Sequence, residues 1–209
     1  MGAEGESTYA HIDKYVKPFC EEKGIKFVTV RHPERTLEED MEARQVLPMI
    51  TNRWCTTQFK IAPTKRNIRN VLGATAKRPV IMDMGFSADE ATRIGNEMNV
   101  QYMYKNYPLV FADINRAGCE RIIKEYGWPA TPKSACDFCM FRGTRHFKRL
   151  AREQPERYER LIALEENAMK RKPYTLIKGI SLRKLRDSHA TGLEAYDVEG
   201  TCTSGVCGY

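Results

Sequence analysis

The sequence predicts an α/β domain, a doubly wound parallel sheet followed by a helical C-terminal part. Three observations predict it. Short β-rich runs alternate with stretches of helical periodicity between residues 8 and 126. Glycines stand where several of those stretches should stop. Beyond the Cys136-Asp137-Phe138-Cys139 motif the apolar spacing turns helical. Strands separated by helices of this size argue for βαβ units and hence a parallel sheet.

Thr8 to Lys23 reads as a helix, because Tyr9, Ile12, Val16 and Phe19 recur at three- and four-residue spacing and Gly24 follows as a stop. Ile25 to Val30 is a β-rich run. Pro63 to Leu72 has helical character and ends at Gly73. Val80 to Met84 is a second short apolar run, closed by Gly85, and Ser87-Ala88-Asp89-Glu90 offers an N-cap with acidic residues in the first turn. Gln101 to Tyr104 and Leu109 to Phe111 supply further strand, and Ala117 to Tyr126 a helix. Arg145 to Arg152 is the next helix. Pro155 makes a natural first residue for another, running to about Lys170, whose Tyr158, Leu161, Ile162, Leu164 and Met169 form an apolar stripe for core packing. Residues 189–209 hold few large apolar groups besides Leu193 and Tyr196 and read as a mobile tail. The expected division is therefore an α/β core over residues 1–140, a basic helical region over 141–188 and a cysteine-containing tail over 189–209.

Composition narrows the function classes. A chain of 209 residues accommodates one domain with a tail, and a hydrophobic content of 42% is that of a globular protein. No run approaches the roughly 20 apolar residues of a membrane span. No signal peptide precedes the polar Gly2-Ala3-Glu4-Gly5. Seven cysteines do not close into a disulfide framework. These features place the chain in the cytoplasm with no membrane partner, where clustered cysteines read as metal-binding or catalytic. The net charge of +7 is unevenly spread: between Arg142 and Arg186, 14 Lys/Arg stand against five Asp/Glu, so the remainder is slightly acidic. A basic C-terminal third points to an anionic partner larger than a mononucleotide, a nucleic acid being the natural candidate, or else to a solvated helix surface.

The cysteines carry the chemistry. Cys136 and Cys139 sit on one turn, close enough to grip a single soft metal centre, and the distant Cys55 completes a set that only the fold can assemble. Arg53, Lys60, Lys65, Arg66 and Arg69 crowd the first site in sequence, and Lys133, Arg142 and Arg145 flank the second. Sulfur ligands ringed by cations suggest a metal centre facing a polyanion such as a nucleotide. Three readings of Cys55, Cys136 and Cys139 stand side by side: an iron–sulfur centre, a zinc site, or unligated apolar thiols. Arg53, Lys60 and Arg66 are candidate sulfate or phosphate groups, arginine suiting bidentate contact and lysine acting as a point charge. Glu90 and Arg93 read as a pair across one helical turn. His11, His32, His146 and His189 are scattered and take no assigned role.

Taken together, these residues resemble the phosphoadenosine phosphosulfate reductase family, within the adenine nucleotide alpha-hydrolase superfamily. The landmarks occur in order: Gly2-Ala3-Glu4 with Thr8-Tyr9; Cys55 to Lys60 to Pro63; Gly85-Phe86-Ser87-Ala88-Asp89-Glu90 with Arg93; Tyr107-Pro108-Leu109; and Pro132-Lys133-Ser134-Ala135-Cys136-Asp137-Phe138-Cys139. They cover roughly Gly2 to Glu166. The resemblance implies an adenine nucleotide or sulfonucleotide as substrate and sulfonucleotide reduction or sulfur transfer as the activity. It tips the cysteine ligands toward iron, as a four-iron four-sulfur cluster, with zinc as the alternative. Cluster-bearing members have adjacent cysteines at the first site, whereas Thr56 follows Cys55 here. That leaves three matched ligands, as in related sulfur-transfer enzymes whose cluster keeps one iron open. The family's Ser-Gly-Gly/Phe-x-Asp-Ser phosphate loop (the PP-loop) has no counterpart, so the resemblance implies an N-terminally truncated version of the fold, or a partner polypeptide supplying the loop. Cys207-Gly208 resembles the nucleophilic cysteine of a mobile reductase tail, although the family's neighbouring Glu and His are missing, and a regulatory disulfide, or no role, is at least an equal reading of Cys202 and Cys207. The competing expectation is a non-enzymatic, zinc-stabilised nucleic-acid-binding module derived from this fold.

Overall fold

The computed structural model describes residues 4–94, 100–132 and 134–190. In chain order the elements are α1 (Glu6–His11), a π-helical turn (Ile12–Val16), α2 (Lys17–Glu22), α3 (Leu37–Arg44), α4 (Trp54–Thr56), a second π-helical turn (Thr57–Ile61), α5 (Ala62–Asn70), β1 (Val80–Asp83), a 3₁₀ turn (Ala88–Arg93), β2 (Met103–Asn106), α6 (Pro108–Phe111), α7 (Arg116–Glu125), α8 (Thr144–Glu153), α9 (Pro155–Met169) and α10 (Leu182–Ala190). The protein is mixed α/β with more helix than strand. Its described part falls into two compact units, each assembled from separate stretches of chain: residues 4–5, 31–60 and 135–190 form the first, and residues 6–30 and 61–134 the second.

The first unit is helical and is organised around α9. Tyr158, Leu161, Ile162, Leu164 and Ala168 are all buried in one cluster with Leu37 and Met41 of α3, Phe147 and Leu150 of α8, and Leu182 and Leu185 of α10. Burying side chains of this size contributes about 1.5–3 kcal/mol each; of the stripe read from the sequence, Met169 alone departs, 38% exposed at the end of α9. Glu165 lies on the same stripe and is also fully buried. Its carboxylate accepts hydrogen bonds from the backbone N–H groups of Leu176 (2.9 Å) and Leu182 (2.7 Å), the latter opening α10. Burial pushes Glu165 above the usual carboxylate range while these two amide donors pull it back down. Helix α3 begins at a capping box: Glu39 N–H donates to Thr36 Oγ1 (3.3 Å) and Thr36 N–H to Glu39 Oε2 (2.7 Å).

The second unit holds the sheet. β1 and β2 pair in parallel with Val80 opposite Met103 and Asp83 opposite Asn106. Val80 and Met82 turn toward a small core of Ile68, Ala74 and Met103. The opposite face is open, with Ile81 74% and Tyr104 52% exposed. Among the described residues the sheet has these two strands. Around α1, α2 and the end of α7, His11, Tyr15, Phe19, Tyr126 and Trp128 form an aromatic cluster with ring centroids 5.1–6.1 Å apart.

Two expected strands are absent. Residues 25–30 form no strand, and Ile25, Phe27 and Val28 stay exposed: β-propensity alone does not make a strand without a ladder partner and a face to bury. Leu109 to Phe111 is helical, because Pro108 pre-sets the first helical residue and Phe111 N–H closes the turn on Tyr107 O (3.0 Å). The Ser87 cap is real, but the segment it opens is a 3₁₀ turn. No described helix is long and apolar enough to cross a membrane.

Candidate metal centre

Cys55, Cys136 and Cys139 all belong to the first unit and meet at one core. Cys136 is buried within the main apolar cluster, and Cys55 and Cys139 pack against it, half-buried. Cys55 arrives on α4, which Trp54 anchors: its ring is buried, with the Arg44 guanidinium 4.7 Å from the ring centre. Cys136 and Cys139 arrive on a tight turn closed by Cys139 N–H donating to Cys136 O (3.1 Å) and Arg142 N–H donating to Cys139 O (2.8 Å). Phe138, 1% exposed, plugs the turn into the core, and an antiparallel backbone bridge from Glu4 supports Cys136.

Three side chains hold that turn from below. Arg157 on α9 reaches Asp137 between the two cysteines (Nε to Oδ2, 3.2 Å) and grips Glu38 of α3 through two further contacts of 2.5 and 2.9 Å. His146 on α8 lies 2.9 Å by Nε2 from Asp137 O, and burial holds its ring down at about 4. The imidazole is therefore neutral near pH 7, and accepting this bond at the carbonyl requires the Nε2–H tautomer. Arg142 donates from Nη2 to Ala135 O (3.2 Å). Sequence reasoning assigned neither His146 nor Arg157 a part; Asp137, lodged inside Cys-x-x-Cys, was the readable signal that something must hold it.

The electrostatics separate the candidate roles of the thiols. Burial pushes Cys136 up to about 12, and raises Cys55 as well, against hydrogen bonds from Thr56 that work the other way. The Cys139 sulfur raises both Cys55 and Cys136, Cys55 also raises Cys136, and the Lys60 ammonium lowers both. Without a metal, then, Cys55 and Cys136 are protonated thiols and poor nucleophiles. A bound cation would deprotonate them outright. Soft donors, shared burial and a nearby lysine suit a thiolate-bound metal in chemical type. As the side chains stand, no three His, Cys, Asp or Glu groups among the described residues converge closely enough to hold one.

The predicted cations divide. Arg53 flanks the centre, its guanidinium 5.3 Å from the ring centre of Phe141, just beyond the cysteine turn. Lys60 is exposed and acts electrostatically on the buried sulfurs. Lys65, Arg66 and Arg69 belong to the second unit, where Arg69 stacks on Tyr102 and Arg66 is exposed on α5. Glu90 pairs with Arg93 and also accepts from Ser87, while Arg93 lies over the Phe86 ring at 4.4 Å; this constellation is a local brace. Lys133, Cys202 and Cys207 lie outside the described residues. Comparison of the chain with protein-family models, curated proteins and solved structures returns no match in any of the three.

Proposed function

We propose that the chain is a sulfur-handling module of the phosphoadenosine phosphosulfate reductase type. In this reading Cys55, Cys136 and Cys139 hold an iron–sulfur cluster, and Arg53 and Lys60 face the sulfate or phosphate of an adenine nucleotide or sulfonucleotide. One observation carries it: three cysteines from two separate chain segments reach the same core, with a lysine ammonium close enough to favour the thiolates of Cys55 and Cys136. When bound, the cluster supplies either rigidity to the turn or an iron open to an outside sulfur ligand. Lys60 and Arg53 orient the anion, and Phe138 keeps water from the inner face of the turn. The nucleophilic thiol of the proposal is Cys207, a role carried by the resemblance of Cys207-Gly208 to the tail cysteine of sulfonucleotide reductases.

The parallel β1–β2 pair with its open face supports a larger, doubly wound sheet, in which a partner polypeptide provides further strands and the phosphate-binding loop. The experiment is a titration of anaerobically purified protein with adenosine 5′-phosphosulfate, followed by calorimetry. Saturable binding is expected, weakened roughly tenfold by Lys60→Gln through loss of one charge-assisted contact. Binding that Lys60→Gln and Arg53→Gln both leave unchanged would refute the placement of the anion.

A further inference from the structure

The second unit holds a cavity of about 250 Å³ built from its aromatic residues. Tyr15 and Phe19 stand four residues apart on consecutive helical turns, so both lie on one face. At the end of α7, Gly127 takes φ +74° and Trp128 N–H closes on Ile123 O (3.1 Å). A residue with a side chain would be strained at that φ, and the reversal it permits carries Tyr126 and Trp128 to Phe19. The Phe19 ring meets Tyr126 at 5.8 Å and 85°, and Trp128 at 5.5 Å and 89°. Together with Tyr15 and Pro18, these rings line the slot.

The rings pack on one another without leaving water. Tyr126 is 61% exposed, and Tyr15, Phe19 and Trp128 are half-buried. Among the described residues, no group hydrogen-bonds the Tyr15 and Tyr126 hydroxyls or the Trp128 indole N–H. Tyr and Trp in this state, one end apolar and the other a ready donor, are the residues of binding surfaces. On the rim, Lys23 donates to Glu22 (2.7 Å) and Lys17 holds Asp13 (2.6 Å). The exposed Lys14, its ammonium 5.4 Å from the Tyr15 ring centre, has no carboxylate partner among the described residues. The slot therefore combines ring walls, three hydrogen-bond donors and one uncompensated positive charge.

We propose that this slot docks a proline-rich segment of a partner protein, held as a polyproline II helix with an acidic residue beside its prolines. A cavity of this size lies below the roughly 300–1,000 Å³ that encloses a whole small ligand, so it seats one part of a longer chain. Polyproline II makes no internal hydrogen bonds, and its carbonyls are acceptors for the indole N–H and the two phenol hydroxyls. Its puckered pyrrolidine rings fill the relief of mutually perpendicular aromatic rings, and its preformed backbone loses little entropy on docking. Charge complementarity sets the flank, where Lys14 faces a carboxylate. A nucleic-acid strand fits less well: it stacks successive bases on successive ring faces, and of the rings in this slot Tyr126 alone is broadly exposed. The site uses no residue of the cysteine centre and stands independently of the sulfur reading.

The test is a fluorescence titration of the full chain with a synthetic peptide of about ten residues, mostly proline and ending in glutamate. The chain has two tryptophans, and Trp54 is buried in the first unit, so a blue shift of the emission on binding reports Trp128. Saturable binding with that shift is expected. Replacing the peptide's prolines by alanine should weaken it at least about tenfold, because the backbone is no longer preformed. Tyr126→Ala, at an exposed position, should cost at least about fivefold, and Trp128→Phe should weaken binding and abolish the shift. Lys14→Gln should cost about threefold and flatten the salt dependence. The peptide pair is compared on the unaltered protein, so it decides the matter even where a variant folds poorly. Equal binding of the proline and alanine peptides, no binding at about 1 mM peptide, or full affinity in Tyr126→Ala would overturn the proposal. So would a single-stranded RNA of about 12 nucleotides that displaces the peptide and binds more tightly, since the rings would then serve base stacking.

Discussion

Replacing Arg157 is the sharpest probe of how the helical unit holds the cysteine turn. The guanidinium is 25% exposed and spans two carboxylates, Glu38 at 18% and Asp137 at 9%. Arg157→Ala would leave both acids largely out of water and unpaired. Breaking a fully buried pair this way costs about 3–5 kcal/mol and an exposed one under 1, so this partly buried triad should lose about 2–3 kcal/mol. For a chain of this length that corresponds to a fall of about 5–10 °C in Tm. Arg157→Lys keeps the charge but loses the fork that contacts both acids, and should cost about half as much. Urea denaturation followed by circular dichroism measures both, and a double-mutant cycle with Glu38→Ala should return a coupling of about 1–2 kcal/mol. The turn itself supplies a second readout: freed of Arg157, Asp137 no longer fixes the loop, and Cys139 should react faster with a disulfide thiol reagent. A loss under about 0.5 kcal/mol with no coupling, as for a solvated surface pair, would refute the reasoning.

Two further predictions concern the same scaffold. Because burial holds His146 at about 4, against 6.5 for an exposed ring, the unfolded chain takes up the proton first, so stability is intact above pH 6.5 and is lost as pH falls toward 4. His146→Gln keeps a donor for Asp137 O without titrating, and should flatten the stability profile across that window; an unaltered profile would contradict the assignment. Glu165→Ala should cost about 3 kcal/mol by orphaning the buried N–H groups of Leu176 and Leu182, with Glu165→Gln costing less because one acceptor survives. Denaturant midpoints of the two variants decide it, and tolerance of alanine within about 0.5 kcal/mol would mean that water replaces the carboxylate.

What could be read from the sequence follows a physical pattern. Helices with a periodic apolar face, α9 above all, were legible because Tyr158, Leu161 and Ile162 face one core whatever the tertiary arrangement. β1 was legible as a short apolar run and β2 only in part, since Met103–Asn106 overlaps the expected 101–104 by two residues, while residues 25–30 read as β-rich but form no strand. Helix α3 was overlooked although Thr36-x-x-Glu39 is a capping box, since its neighbours Leu37 and Met41 are too few to show a period. Cys55, Cys136 and Cys139 were singled out from motif chemistry and all pack on the core of the first unit, although no three ligand groups among the described residues converge to hold a metal. Asp137, His146 and Arg157 were not singled out, because a turn is held by residues that sequence distance hides. Lys60 and Arg53 lie near the cysteines as expected; Lys65, Arg66 and Arg69, adjacent in sequence, fall in the second unit.

The central claim is that three cysteines from two segments of the first unit hold an iron–sulfur centre. Purification without oxygen, followed by iron, zinc and acid-labile sulfide analysis of the full chain, tests it most directly. The account predicts brown protein with iron and sulfide in equal amounts, and visible absorption that is abolished by Cys136→Ser and reduced by Cys55→Ser or Cys139→Ser. Stoichiometric zinc without sulfide, or iron retained in all three variants, would contradict it.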